Sequence, residues 1–276
     1  LFTKKLGIKL MIINNKTKVF ISISRFPGNT GALLHNTGYK LHKLNCVYIP
    51  FECKDESLLK SIIYNNNFSG ISVSMPFKDK VIKHLDRLDK SASKTKSVNT
   101  IIKRNKIIYG FNTDYLALRK IIKNKISKIK SATVIGNGST SRTAFVVLKE
   151  LNVKKIFLTS RNKKKYNSWN INSSVKIIDW NKREDIISDV LINCTSMGMK
   201  NMNILPLKIN SNKQFKFIID LPINKNAALS KIARKFNISY IDGQQISLLQ
   251  GIEQFRIYNG KKLFFNKMKK ILNYKF

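Results

Sequence analysis

Two residues in the first half of the chain have the side chains needed for proton transfer to a small substrate. Lys78 follows a short β-like segment that breaks at Met75-Pro76, and Asp114 ends the sequence Asn112-Thr113-Asp114. A lysine close to a carboxylate can donate a proton to a ketone oxygen while the carbonyl carbon accepts a hydride. Taken singly, Asp114 could equally cap a helix, and Lys78 could be one solvated lysine among many. The pair is therefore a hypothesis that depends on the fold.

Small hydroxyl and amide side chains stand at the ends of other β-like segments. They are found in the sequences SIS (22–24) and SVS (72–74), and at Asn99. Hydroxyl and amide groups both donate and accept hydrogen bonds, so several of them together could bind a polyhydroxylated ligand. We expect them to converge on one site if the strands lie side by side.

A turn with two glycines in the second half predicts a phosphate-binding loop. Gly136 ends a predicted strand and Gly138 precedes a predicted helix. The free N–H groups and the positive dipole end of such a helix favour an anion. Ser141 replaces the third glycine of the dinucleotide-binding pattern, and a turn of this kind can also be purely structural.

The segment after the next strand distinguishes between two nicotinamide cofactors. NAD-binding domains usually place a carboxylate there for the ribose 2′-hydroxyl. This chain has Ser160-Arg161-Asn162 followed by lysines at 163–165, without a carboxylate. Cations at this point suit a 2′-phosphate, so the pattern predicts NADP rather than NAD. The alternative is a solvated basic loop in a basic protein.

Strands that alternate with helices must position these residues, and they predict an α/β fold. In the first half, strands are predicted at 19–24, 46–52 and 69–75, and helices at 32–44, 56–66 and 76–88. Ser74 would cap the helix at 76–88, and Pro76 would lie in its first turn. Two strands joined by a tight turn follow at 100–103 and 107–111, and then a helix at 115–124.

The second half repeats the alternation in the manner of a Rossmann-like, doubly wound domain. Its predicted strands are at 132–136, 154–160, 189–195 and 215–222, and a polar connector at 125–132 precedes them. We predict a substrate-binding and catalytic domain over 1–112 and an NADP-binding domain over 113–249. Helices over 250–276 would pack back on the first domain.

The composition narrows the functional classes. The chain has 276 residues, 52 Lys and Arg against 15 Asp and Glu, and a net charge of +37. The lysines are spread along the chain and accompany frequent Asn and Ile, which indicates a compositional bias rather than a nucleic-acid site. The scattered Cys46, Cys53 and Cys194 and the three histidines do not predict a disulfide or a metal site.

The length and the hydropathy pattern give three further expectations. The apolar runs are too short for a membrane-spanning helix, and the N-terminal segment lacks the apolar region of a signal peptide. We therefore expect a cytoplasmic protein without membrane or nucleic-acid partners. A monomer or a homodimer would suit a chain of this size.

Taken together, these segments resemble the shikimate dehydrogenase family from about Val19 to Gly260. Several separate motifs occur in the family's order, which makes the resemblance specific. The matching segments are Ser22-Ile23-Ser24, 72–78, 97–100, 110–114, 136–143, 160–165, 192–199 and 243–250.

The resemblance implies the NADPH-dependent reduction of 3-dehydroshikimate to shikimate, in the synthesis of chorismate and aromatic amino acids. It implies that Lys78 and Asp114 are the catalytic pair. The implied substrate contacts are Ser22, Ser24, Ser74, Asn99, Asp114 and Gln250. The implied NADP contacts are Gly136, Asn137, Gly138, Ser139, Thr140, Ser160, Arg161, Asn162, Lys165, Thr195, Leu221 and Gly243.

Three positions depart from the family's pattern. Ile223 stands in place of a tyrosine that contacts the substrate, Ser72 in place of an asparagine, and Ile246 in place of a methionine near the nicotinamide. These features resemble the shikimate 5-dehydrogenase-like branch. They leave open an enzyme that acts on quinate or another cyclic hydroxy acid, or a weakly active homologue that binds a ligand.

Overall fold

Two six-stranded sheets form the framework of the protein. The computed structural model describes residues 13–125, 129–224 and 226–274. The segment 1–12, for which we predicted no signal peptide, lies outside the described residues, as do 126–128 of the polar connector and 275–276 of the tail. The mixed α/β architecture with a doubly wound second sheet confirms the predicted fold class.

The first sheet, here called the substrate-side sheet, combines parallel and antiparallel strands in the order β2-β1-β3-β5-β6-β4. β1 pairs in parallel with both β2 and β3, whereas β5 is antiparallel to β3 and β6. The strands are β1 (Lys18–Ser24), β2 (Cys46–Glu52), β3 (Phe68–Val73), β4 (Arg87–Leu88), β5 (Thr100–Arg104) and β6 (Ile107–Phe111).

The second sheet, the cofactor-side sheet, is entirely parallel and has the order β12-β11-β10-β7-β8-β9. The chain leaves β7 in one direction and later returns to its other side, so a crevice opens between the ends of β7 and β10. The strands are β7 (Ser131–Ile135), β8 (Lys155–Thr159), β9 (Val175–Ile178), β10 (Val190–Asn193), β11 (Phe217–Asp220) and β12 (Ser239–Ile241).

Helices cover both faces of each sheet. Every residue of β10 is buried, as expected for a central parallel strand that packs against helices on both faces. The helices are α1 (Thr30–Leu41), α2 (Leu58–Tyr64), α3 (Lys90–Thr95), α4 (Thr113–Lys125), α5 (Ser139–Glu150), α6 (Ala228–Lys235), α7 (Gly243–Asn259) and α8 (Phe265–Ile271).

The helix predicted over 76–88 is wrong. The structure has only a short 3-10 helix at Lys80–His84, and the two-residue strand β4 follows it. Residues 74–79 lie outside any helix, so Pro76 does not open a helix and Ser74 does not cap one. The apolar spacing is explained by burial, because Leu85 and Val81 pack in the core below the substrate-side sheet. Tertiary packing therefore overrides the helical period.

Four further elements were not predicted from the sequence. These are β9, β12, α3 and α6. The long C-terminal helix α7 begins at Gly243, seven residues before the predicted start, because Asp242 caps it by accepting a hydrogen bond from the Gln245 N–H. α7 contacts α1 and β5 of the first half and also α4. The division of the chain at residue 112 stays a prediction.

A buried asparagine joins the two halves of the protein. Asn112 is fully buried, and its amide donates hydrogen bonds to Thr95 Oγ1 in α3 (2.8 Å) and to Thr143 Oγ1 in α5 (3.1 Å). Its carbonyl oxygen accepts from the Tyr115 N–H at 3.2 Å. Since an unpaired polar group in this place would be costly, these bonds fix α5 relative to the start of α4.

Candidate active site

The polar side chains that end the first strands converge on one cavity. β1 and β3 are parallel neighbours, and Ser22 lies opposite Ser72 in their register. Because both strands end at the same edge of the sheet, Ser24 and Ser74 lie there as well. The cavity has a volume of about 340 Å³. It is lined by the predicted catalytic residue Lys78 and by all six predicted substrate contacts, namely Ser22, Ser24, Ser74, Asn99, Asp114 and Gln250.

Lys78 and Asp114 form an ion pair in this cavity. Lys78 Nζ donates a hydrogen bond to Asp114 Oδ2 at 2.6 Å, and the two side chains are 15% and 13% exposed. The lysine follows the turn at the end of β3, where its carbonyl accepts from the Val98 N–H at 2.7 Å. Asp114 lies in the first turn of α4, whose dipole favours a carboxylate. The pair is thus held from two sides and remains partly accessible.

Asn99 and Gln250 belong to a shared hydrogen-bond network. The Asn99 amide donates to Thr113 Oγ1 at 2.9 Å and to Gln250 Oε1 at 3.4 Å. Thr113 Oγ1 also donates to Gln250 Oε1, at 3.0 Å, and the Thr113 N–H donates to Asn99 Oδ1 at 2.9 Å. Thr113 was not among the predicted site residues, although it stands beside Asp114. This network fixes the side of the cavity that faces α7.

A second polar network extends from the cavity wall into the core and was not found from the sequence. Ser72 Oγ donates to Gln254 Oε1 at 2.8 Å and is 3.0 Å from the Tyr258 hydroxyl. Gln254 Oε1 is also 3.0 Å from His35 Nε2. Burial lowers the pKa of His35 to about 4, against the hydrogen bond to the Gln254 amide oxygen, which raises it. His35 is therefore a neutral part of the wall at neutral pH.

The predicted phosphate loop has the required backbone geometry. Gly136 has a φ of +114°, and a Cβ there would stand 2.8 Å from Ser141 Oγ. At Gly138 an added Cβ would meet no protein atom within 4 Å, so the backbone is open to close approach. Gly138 immediately precedes α5 and does not cap it with a side chain. These are the features that a dinucleotide diphosphate requires.

A cavity of about 270 Å³ opens between this loop and the end of β10. Arg161 lines this cavity. The carboxylate of Asp179 nearby is already paired with Lys163, so it does not offset the charge of Arg161. A 2′-phosphate therefore fits this donor set better than a 2′-hydroxyl. The predicted cofactor residues that line the cavity are Gly136, Asn137, Gly138, Ser160, Arg161, Asn162, Lys165 and Thr195.

The remaining predicted cofactor residues lie where the two halves meet. Thr140, Leu221 and Gly243 line the substrate cavity, and Ser139 lines a further cavity beside the phosphate loop together with Thr140. At Gly243 an added Cβ would stand 2.5 Å from the carbonyl oxygens of Leu221 and Pro222, so only glycine fits. The structure thus brings the predicted substrate and cofactor residues into one continuous cleft.

A buried carboxylate organises the loop at the end of β10. Asp220 is 0% exposed, and its oxygens accept hydrogen bonds from Asn193 Nδ2 and from the Tyr240 hydroxyl, both at 2.7 Å. Asn193 Oδ1 in turn accepts from the N–H and hydroxyl of Thr195. Burial raises the pKa of Asp220 to about 6, although the two hydrogen bonds lower it, and Asp242 raises it further.

The Cys194 thiol is protonated at neutral pH. It lines both the cavity at the end of β10 and the cavity beside the phosphate loop. Burial raises the pKa of Cys194 to about 12. No metal-binding group of three or more His, Cys, Asp or Glu side chains occurs among the described residues. None of the helices in the described ranges is both long and apolar enough to cross a membrane.

Comparisons with known proteins agree with this geometry. Residues 30–101 match the model of the shikimate dehydrogenase substrate binding domain. Shikimate dehydrogenase (NADP(+)) of Maridesulfovibrio salexigens is 32% identical over 92% of this chain and 96% of its own length. The shikimate dehydrogenase-like protein of Haemophilus influenzae is 30% identical over 91% of this chain and 94% of its own length.

A solved structure of a shikimate dehydrogenase in complex with NADP+ has the same fold. It superposes with a TM-score of 0.81 at 27% identity and covers 95% of this chain and 96% of its own. The sequence motifs, the fold and the relatives at 30% identity or more all agree. This chain belongs to the shikimate dehydrogenase family.

Proposed function

We propose that this protein is an NADP-dependent shikimate dehydrogenase, which reversibly reduces 3-dehydroshikimate to shikimate. The observation that carries the proposal is the position of the Lys78–Asp114 pair. Lys78 lines both the substrate cavity and the cavity beside the phosphate loop. A group at this place can act on a substrate atom that also reaches the cofactor.

Lys78 is the proton donor in the direction of reduction. When bound, NADPH supplies the hydride to the carbonyl carbon of the substrate. The Lys78 ammonium gives one proton to the carbonyl oxygen, so a hydroxyl forms and a neutral amine remains. Asp114, 2.6 Å away, holds the ammonium in place for the transfer. In the reverse direction the neutral amine accepts the hydroxyl proton.

The rest of the substrate cavity supplies hydrogen bonds rather than charge. Lys78 is the only cationic residue that lines it among the described residues, and Lys78 is already paired with Asp114. The hydroxyls of Ser22 and Ser24 and the amides of Asn99 and Gln250 remain for a polyhydroxylated carboxylic acid. These groups both donate and accept, which suits a ring with several hydroxyl groups.

A second candidate is an enzyme that prefers quinate or another cyclic hydroxy acid. Ile223 lines the cavity and is 43% exposed, at the position where the family's pattern has a tyrosine. The Ser72 hydroxyl is engaged by Gln254 and Tyr258 rather than directed freely to a ligand. Both features remove possible hydrogen bonds to the substrate, so the preference among cyclic hydroxy acids could differ.

The test is a steady-state assay of the purified protein, with shikimate or quinate and with NADP or NAD. We expect the highest kcat/KM with shikimate and NADP. A higher kcat/KM with quinate would favour the second candidate. Tight NADPH binding without turnover of either acid would indicate a homologue that only binds its ligand.

A further inference from the structure

A third cavity crosses the cleft between the two halves of the protein. It has a volume of about 640 Å³ and is here called the cross-cleft cavity. One wall is the turn at 75–79 and Lys96, both from the first half. The opposite wall is the phosphate loop at 137–140 with Arg142 and the segment 164–169. A ligand at the phosphate loop therefore faces Lys96 across the cavity.

The walls of this cavity carry an excess of positive charge. Lys96, Arg142, Lys164 and Lys165 line it, and Asp79 is the one acidic side chain among its described lining residues. Lys78 also lines the cavity, but its charge is compensated by Asp114. Since like charges on facing walls repel each other, this arrangement is favourable only when an anion lies between them.

Lys96 is held in an unusual backbone conformation. It follows α3 with a φ of 46° and a ψ of 46°, the left-handed region that side chains other than glycine rarely adopt. Its N–H donates to the Ala92 carbonyl oxygen, and Val98, two residues on, donates its N–H to the Lys78 carbonyl oxygen at 2.7 Å. The backbone on both sides of Lys96 is thus fixed, and the lysine lies at the cavity wall.

Lys96 has no acidic partner within the part of the chain that the structure describes. None of the ion pairs between described residues includes it, whereas the neighbouring Lys94 is paired with Glu150. Its charge is therefore available to a ligand. An ammonium that faces the free N–H groups of a helix N-terminus can hold a phosphate group between them.

We propose that Lys96 binds the diphosphate of NADP(H) from the side of the cleft opposite to the phosphate loop. The proposal rests on the proposed function, because it needs the dinucleotide at that loop. Lys96 and the N-terminus of α5 together form a clamp that joins the two halves when the cofactor is bound. Since the segment after Lys96 leads to Asn99 in the substrate cavity, the clamp also orders one substrate contact.

The test is the dissociation constant of NADPH, measured with the full chain by fluorescence titration. We expect Lys96→Ala to raise the Kd about tenfold, since one charge-assisted contact to phosphate is lost. Lys96→Arg should stay within about threefold of the wild type, because the charge is kept. The difference between wild type and Lys96→Ala should shrink at high salt.

Lys106→Ala is the matched control. Lys106 is also an exposed lysine with a positive φ of 65°, but it lies in the turn between β5 and β6 and lines none of the three cleft cavities. Its removal takes away the same charge from the same kind of backbone position. We expect no change in the Kd of NADPH beyond about twofold.

A second variant and a second ligand separate binding from folding and locate the contact. Lys96→Gly also removes the charge but suits the left-handed conformation, so it should fold and still lose NADPH affinity. Adenosine 2′-monophosphate, which has no diphosphate, should compete equally well for wild type and Lys96→Ala. An equal loss of affinity for both ligands would overturn the diphosphate contact.

The outcomes also distinguish this proposal from the proposed function. If the wild-type protein does not bind NADPH, the proposed function itself fails. If the wild type binds NADPH and Lys96→Ala and Lys96→Gly bind it as tightly as Lys106→Ala, the role of Lys96 is overturned and the proposed function stands.

Discussion

The two sides of the cleft are built from different kinds of groups. The substrate cavity is lined by neutral side chains tied to one another by hydrogen bonds, with the Lys78–Asp114 pair as its charge. The cofactor side consists of open backbone at Gly138 and of exposed cations such as Arg161 and Lys165. In the proposed function, the charged pair on the substrate side serves proton transfer, and the cations on the cofactor side bind phosphate.

One carboxylate on each side of the cleft shows the same difference. Asp114 faces an ammonium group, whereas Asp220 on the cofactor side is fully buried and receives hydrogen bonds only from the neutral groups of Tyr240 and Asn193. Burial without a cation favours the protonated acid. On the cofactor side the cations are therefore exposed, and none of those named here forms an ion pair with the buried Asp220.

The largest effect should come from the charged pair on the substrate side. Lys78→Ala should lower kcat by about 10²- to 10⁴-fold, since it removes the proton donor, with a much smaller change in the KM for NADPH. Steady-state kinetics with shikimate and NADP measure this. Lys80→Ala is the matched control, because Lys80 is nearby but is paired with Glu56 outside the cleft. Unchanged turnover in Lys78→Ala would contradict the mechanism.

Asp220, the carboxylate on the cofactor side, should affect the free energy of unfolding rather than the catalytic rate. Native Asp220 keeps its proton up to a pKa of about 6, whereas the unfolded chain releases it near 3.8. The native state therefore binds more protons in this interval, and its stability falls as the pH rises. Relative to Asp220→Asn, the wild-type free energy of unfolding should fall by about 2 kcal/mol between pH 4.5 and 7.

Denaturant unfolding of both proteins across this pH range measures the difference. Asp189→Asn is a suitable control, because hydrogen bonds and Lys216 outweigh burial and lower the pKa of Asp189 below its ordinary 3.8. The contribution of Asp189 to stability is lost only at pH values below this range. If the free energy of unfolding of the wild type, relative to that of Asp220→Asn, stays constant or rises with pH, then Asp220 is ionised throughout this range.

The exposed cations on the cofactor side should act through binding alone. Arg161→Ala should raise the KM for NADPH about tenfold and leave kcat and the kcat/KM with NADH almost unchanged, because only NADPH carries a 2′-phosphate. Arg87→Ala removes an arginine from β4, away from the cleft cavities, and should leave both values unchanged. Equal losses for NADPH and NADH would place Arg161 elsewhere on the cofactor.

The smallest effect should come from exchanging one uncharged side chain for another in the wall of the substrate cavity. Ile223→Tyr should raise kcat/KM for shikimate by about twofold to tenfold, the effect of one added hydrogen bond. Ile187→Tyr, at a 69% exposed position away from the cleft, is the control. A gain for quinate that equals the gain for shikimate would show that position 223 does not select the substrate.

Much of the site could be predicted from the sequence because it depends on strand ends. Parallel strands end at one edge, so Ser22 and Ser72 had to be neighbours once β1 and β3 paired. Thr113, His35 and Gln254 were not found, because they act through other side chains and carry no spacing of their own. The helix predicted over 76–88 failed because its apolar residues serve a core whose strands are distant in sequence.

The sequence by itself determined the alternation of strands and helices, the phosphate loop and the preference for a 2′-phosphate. Each of these depends on residues that are close along the chain, so a local pattern is sufficient. Only the tertiary structure decided that Lys78 meets Asp114, that burial keeps a proton on Asp220 at mildly acidic pH, and that Lys96 faces the phosphate loop. Those properties depend on distances and desolvation between residues that are far apart in the chain.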